Sequence, residues 1–249
     1  MIRGFFLTLV LIVVALLGAV FFTPLEYVLK QAGVNQTGAG WASVEGNVLK
    51  GRINGFYVGT QPVGDVRLDL RPMSLLSGRA TYDVNWSGVG GRGSGVVSAS
   101  SNTLELSDVR GQQLVQSIEG LAAPVRAIGG EIRLSGGEAR LTRQGCESGA
   151  GTLSTDTLSL ALAQYGKNFG ELSGPISCVD GMVVVNLDGT GEDNDRVTIS
   201  ASASLLGETS FAATVTTVDR ELIFLLPRLG FERRGSDWQY INNSDGVVQ

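Results

Sequence analysis

The sequence predicts a mainly β fold: a long antiparallel curved sheet, or a sandwich or groove, preceded by one N-terminal transmembrane helix. Three observations carry this prediction. From Gly40 onward, apolar residues recur with a period of two rather than 3.6, the spacing of a half-buried strand. Glycine is abundant, at 35 of 249 residues, with no G-X-Y period, so it reads as turns. The run FFLTLVLIVVALLGAVFF over residues 5–22 carries no charge, and only Thr8 and Gly18 interrupt it mildly.

Those eighteen residues span about 27 Å as a helix, close to a hydrocarbon core of about 30 Å. Arg3 and the amino terminus precede the run, and Glu26 is the first charge after it, which favours the N-terminus inside. The competing reading is a cleaved signal peptide. Its apolar region would be shorter, and the best site, Leu17-Gly18-Ala19, has a poor Leu at −3. Both readings export the chain from Pro24 onward. The expected division is a short cytoplasmic end at 1–4, a signal-anchor helix at 5–22 and a periplasmic β-rich domain at 23–249. That domain has possible lobes at about 40–110 and 130–241.

Cys146 and Cys178 are the only cysteines and lie in no CxxC motif. In an exported chain an even count reads as a disulfide, against the alternative of two buried thiols.

The strands follow in order. Val66, Leu68 and Leu70 alternate with Arg67, Asp69 and Arg71, and Tyr82, Val84 and Trp86 with Asp83 and Asn85. The pattern recurs at Leu104/Leu106, Ile132/Leu134, Leu158/Leu160/Leu162, Val183/Val185/Leu187, Val197/Ile199/Ala201/Ala203 and Phe211/Ala213/Val215. Trp238 to Ile241 reads as a last strand, and residues 242–249 as a frayed tail. Helical signals are few. Residues 112–121 place Leu114, Ile118 and Leu121 on one face, with Pro124 as a stop. Residues 25–31 extend the anchor by a turn or two. Asp219 caps a short helix through Leu226 that Pro227 limits.

Composition excludes several chemistries. There is no His, so Ser-His-Asp and Cys-His machinery is impossible, and two cysteines alone cannot build a structural zinc site. A net charge of −5 argues against a general nucleic-acid binder. Gly88-Val89-Gly90-Gly91-Arg92-Gly93 matches GxGxxG, but a strand-like segment follows it instead of a helix, so it reads as a glycine-rich hairpin. Glu192-Asp193-Asn194-Asp195 lacks calcium-loop spacing and reads as a solvated hairpin tip. No SxxK motif surrounds Lys30, Lys50 or Lys167. Glu232-Arg233-Arg234 reads as a solvated turn, or as a contact for anionic lipid or a partner. The apolar sheet face has two readings, an ordinary sandwich core or an open groove for an acyl chain or a partner strand.

The order Gly46-Asn47-Val48-Leu49-Lys50-Gly51-Arg52, then Val66 through Arg71-Pro72, then Ser74-Leu75-Leu76-Ser77-Gly78-Arg79, resembles the type II secretion system protein N family. Leu172-Ser173-Gly174-Pro175-Ile176-Ser177-Cys178, with Cys146, is similar to that family's paired-cysteine region, and Leu229-Gly230 to its C-terminal end. Leu49 stands where the family often has Trp, and Asn47 where it often has Thr. The resemblance implies an inner-membrane, periplasm-facing accessory of protein secretion that contacts other inner-membrane subunits of the system. It brings no catalytic residues, cofactor or metal. The family is also similar to AsmA-like proteins, which implies, as the alternative, a lipid-binding or lipid-transfer module with a hydrophobic β groove.

Overall fold

The structure, a computed structural model, describes residues 23–31, 33, 38–119, 123–163, 166–167, 169–191, 195–204 and 208–244. The expected anchor at 5–22 lies outside the described residues. Among those described, no helix is long and apolar enough to cross a membrane.

The strands are β1 (Ala39–Gly40), β2 (Ser43–Gly46), β3 (Lys50–Val58), β4 (Gln61–Leu70), β5 (Ala80–Ser87), β6 (Gly91–Ala99), β7 (Thr103–Leu114) and β8 (Glu131–Thr142). They continue as β9 (Gly145–Thr155), β10 (Leu172–Val179), β11 (Met182–Thr190), β12 (Arg196–Ala203), β13 (Thr209–Thr216), β14 (Glu232–Arg234) and β15 (Asp237–Ser244). Among the described residues they form one 15-stranded sheet whose pairs follow chain order from β3 to β13. Its ends depart from that order. β1 and β2 both pair with β3, and β15 sits between β13 and β14. The order does not close on itself. The chain forms two compact units, Met1–Ser98 and Ala99–Gln249.

In the first unit, helix α1 (Leu25–Gln31) lies on the apolar face of β2 to β5. Register aligns Val44, Ile53, Val66 and Trp86 across four strands, and Gly51, Leu68 and Val84 across three. Partners in an antiparallel ladder share a face, so these residues form rows. Leu25, Ile53 and Val66 are the buried centre, with Leu29, Trp41 and Leu68 packed around them. Gly51 is required here, because a Cβ would occupy the place of the Leu25 side chain. The β2–β3 turn is held by Asn47, whose Oδ1 accepts from the N–H groups of Leu49 and Lys50 at 3.0 Å each. The opposite face carries ion pairs. Arg71 meets Asp83 through two bonds of 3.0 and 2.6 Å, and Arg52 Nη2 meets Asp65 at 2.8 Å.

The second unit carries α2 (Ala123–Ile128), α3 (Thr157–Ala163) and α4 (Arg220–Leu225). Its core gathers Phe169, Leu172, Leu187, Val197, Val215, Leu222, Leu226 and Trp238, with Leu158 and Leu162 of α3 packed against it. Leu172, at 1% exposure, is its most buried large side chain. It fits because Gly189 has no Cβ to collide with its Cδ2. α4 starts as its sequence predicts. The Asp219 side chain accepts from the N–H groups of Glu221 and Leu222. Pro227 opens the 3-10 turn Leu226–Leu229 that ends the helix.

Four expectations are corrected. Leu158, Leu160 and Leu162 lie on helix α3, not on a strand. Leu158 and Leu162, four apart, turn to the core, while Leu160 stays 48% exposed. An i, i+2, i+4 pattern contains the helical i, i+4 pair, so seven residues do not separate the two. The helix expected at 112–121 is instead the end of β7, where Gln112 and Gln113 pair with Arg133 and Ile132, followed by the 3-10 turn Val115–Ser117. The helix lies later, and Pro124, expected as a stop, sits in its first turn, where a missing N–H costs nothing. Asn242, Asn243 and Ser244 are not a tail but pair with Phe211, Ser210 and Thr209. Residues 245–249 lie outside the described residues. Glu232, Arg233 and Arg234 form strand β14 rather than a turn, because they pair with Gln239, Trp238 and Asp237.

Candidate interaction surface

Four successive rows cross the apolar face of the second unit. They are Gly189–Val197–Val215–Trp238, then Leu187–Ile199–Ala213–Tyr240, then Ile176–Val185–Ala201–Phe211, then Cys178–Val183–Ala203–Thr209. Leu222, Leu226, Leu158 and Leu162 from the helical segments pack with the first two rows. Val185 is the last residue along β11 to join that core. The other members of its row, Ile176, Ala201 and Phe211, and Val183 in the next row lie outside that core; Ile176, Ala201 and Val183 are half-buried and Phe211 is 38% exposed. Among the described residues, the helical cover therefore ends midway along the strands, and an apolar strip follows. A disulfide joins Cys146 to Cys178 at the far margin, with Cα atoms 5.6 Å apart.

The cover is fastened by charge. Lys167 Nζ contacts Asp219 Oδ2, and Glu221 Oε2 lies 3.7 Å from the same ammonium. The Lys167 ammonium hydrogen bond, opposed by partial burial and aided by the two helix N–H groups, holds the Asp219 carboxyl below the usual carboxylate range. One side chain thus both caps α4 and ties it to the segment after α3. Sequence reading found the cap and missed the tie, because Lys167 lies 52 residues away.

The sheet also presents an edge. Among the described residues β14 pairs only with β15, and its three residues are exposed. A free strand edge offers backbone N–H and C=O groups to another strand.

The other sequence-marked residues resolve as follows. Gly88, Val89 and Gly90 form the β5–β6 hairpin turn, with Gly88 N–H donating to Gly91 O at 2.8 Å. Of the acidic cluster, Glu192, Asp193 and Asn194 lie outside the described residues. Asp195 is 4% exposed, so it is not a solvated tip, and its backbone O accepts from Gly191 N–H at 2.8 Å. Among the described residues no group of three potential metal ligands assembles. Lys30 pairs with Glu26, Lys50 lies 3.8 Å from Asp69 and Lys167 binds Asp219, so each of these ion pairs is with a carboxylate.

The family model of the Type II secretion system (T2SS), protein N, matches residues 37–242. The chain belongs to that family. The match begins two residues before β1 and ends within β15, so it takes in the strands of both units. A protein N chain is therefore a component of type II secretion, and its family is not a known enzyme family. No curated protein and no solved structure matches the chain.

Proposed function

We propose that this protein N chain is an accessory, inner-membrane component of type II secretion. Residues 5–22 hold it in the membrane, its β-rich part faces the periplasm, and it acts through contacts with other inner-membrane subunits. The observation that carries this reading is the family match over 37–242 downstream of an 18-residue charge-free apolar run. The exposed β14 edge supports contact by strand addition. The role is non-enzymatic and needs no cofactor, and nucleic acid is not a partner. Crosslinking in native membranes followed by partner identification tests it. The expected products contain other secretion-system subunits, and copurification without any of them overturns the reading. Intact mass tests the anchor, with residues 5–22 expected to be retained.

A second reading is favoured by the apolar strip at Ile176, Val183, Ala201 and Phe211. On that reading the strip takes an acyl chain, as an AsmA-like lipid-binding or lipid-transfer module would. Native mass spectrometry of the detergent-purified chain tests it, and absence of retained lipid counts against it.

A further inference from the structure

The loop between β4 and β5 is unusual for a surface. It is a 3-10 turn, Pro72–Ser77, with no buried residue. Met73 is 80% exposed, Leu76 86% and Leu75 44%. Three large apolar side chains within four residues face away from the protein. Single exposed apolar residues need no explanation, but a cluster at a tip does.

The position of the tip supplies one. Backbone bonds trace a path at this end of the first unit. Thr23 O accepts from Val48 N–H at 3.3 Å, Leu49 O accepts from Leu70 N–H at 2.8 Å, and Arg71 N–H donates to Thr81 O at 2.8 Å. Pro24 also bridges to Asn47. The turn therefore leaves β4 at the end of the sheet where the chain enters from residues 5–22. Two strand spacings, about 10 Å, separate the entry point from Leu70. Tyr27, 60% exposed on α1, stands four residues beyond Thr23, and an exposed tyrosine suits the headgroup level of a bilayer. Two of the cations at this end have a carboxylate beside them. Arg71 is held by Asp83, and Lys50 lies near Asp69.

We propose that Met73, Leu75 and Leu76 insert into the headgroup–acyl boundary of the membrane beside the anchor, giving the first unit a second point of contact with the bilayer. The inference rests on reading residues 5–22 as an anchor, because that places the bilayer at this end. Apolar side chains at a protein tip gain by burial in the outer acyl region, and the three inserted side chains carry no charge of their own.

The test uses the full chain in proteoliposomes of phosphatidylethanolamine and phosphatidylglycerol. An NBD fluorophore is placed by Leu76→Cys, and separately by Val89→Cys and Ala15→Cys, with doxyl-labelled lipid as quencher. Val89 is fully exposed at the opposite end of β5. Eight strand residues put it about 26 Å from the tip. Quenching at position 76 is expected to exceed that at 89 by about threefold or more and to survive high salt, as apolar insertion requires. Equal quenching at 76 and 89, or quenching at 76 that salt abolishes, overturns the proposal. Position 15 reports on the anchor alone. Strong quenching there with none at 76 removes the proposal and leaves the anchor reading intact, whereas no quenching at 15 removes the anchor reading. Leu76 buries nothing, so its replacement leaves the fold in place.

Discussion

The first unit and strands β11 to β15 of the second solve one problem with different chemistry. Each has an apolar sheet face partly roofed by short helix and an opposite face of polar side chains. In the first unit that polar face is laced by ions: Arg52 with Asp65, Arg71 with Asp83, and Lys50 near Asp69. In the second, Arg133 and Arg140 of β8 also pair with carboxylates, Glu131 and Glu171 for the one and Glu105 and Glu147 for the other, whereas strands β11 to β15 use neutral donors. Ser200 donates to Asn186 at 2.8 Å, Thr198 and Thr216 donate to Asp188 and Asp237 at 2.9 Å, and the Ser202 and Ser210 hydroxyls meet at 2.8 Å. A further ion pair of the second unit lies under the roof, at Lys167 and Asp219, and is mostly shielded from solvent. Salt and acid should therefore act on different parts of the molecule. Salt should loosen the polar face of the first unit and the Arg133 and Arg140 pairs of the second while sparing the neutral bonds of β11 to β15, and acid should also reach the roof of the second.

The largest expected effect separates the units most sharply. The Cys146–Cys178 bond closes a loop with a sequence separation of 32 inside the second unit. Reduction should cost that unit about 4 kcal/mol in the chain-entropy view and leave the first unit's protection unchanged. Hydrogen exchange on the full chain, with and without reductant, reads each unit separately. Equal loss in both would mean that they unfold as one.

Leu172→Ala should come next, at about 3 kcal/mol, because a 1%-exposed leucine leaves a cavity between β10 and α4. Urea unfolding of the detergent-solubilised chain measures it. Its companion in the first unit, Leu25→Ala, removes the contact of α1 with Gly51 and should expose β3 and β4 without altering exchange in β10.

A smaller effect tests the roof. Asp219→Asn retains a good N-cap but deletes the charge opposite Lys167, and should cost about 1–2 kcal/mol. The acid response has a definite sign. A carboxyl whose folded value is depressed contributes stability that is fully present above its unfolded value, near 4. That contribution is lost as pH falls through the folded value. α4 should therefore lose exchange protection on acidification from pH 5, and Asp219→Asn should flatten that response. A wild-type α4 indifferent to this titration would refute the fastening role.

Much of the sheet was legible because alternation is a local signal. Val66 to Leu70 and Val197 to Ala203 each declare a face without reference to any partner. The helices were less legible. α4 carried a local mark, Asp219 three residues before Leu222, whereas α3 did not separate from a strand within seven residues. Asp156 before Thr157, with Ala161 and Ala163, was the available hint, since both alanines favour helix. The interaction surface was the least legible part. Whether Phe211 is core or surface depends on how far along the strands the helical segments reach, and period-two spacing holds no information about that. The exposed turn was visible as Ser74-Leu75-Leu76-Ser77-Gly78, but its apolar residues read as ordinary until the backbone placed them at the same end of the strands as Thr23.

The smallest expected effect bears most directly on the contrast of chemistries. Asp83→Asn removes one member of a solvent-exposed pair with a two-bonded Arg71, and Ser200→Ala removes one hydroxyl bond on the corresponding face of the second unit. Each should cost about 0.5 kcal/mol at low salt, the scale of an exposed pair or a single net hydrogen bond. Their size does not distinguish them, but their salt response does. Mobile ions already screen the Arg71–Asp83 attraction over distances of about 8 Å at physiological ionic strength, and more salt shortens that range. The cost of Asp83→Asn should therefore shrink towards zero in molar salt. The Ser200 bond joins neutral groups, so its deletion should cost the same at every salt concentration. A matched pair of salt titrations on the two variants makes the comparison. If both costs fell together, the ions of the first unit would be decoration on a face held by the same neutral ladder as the second.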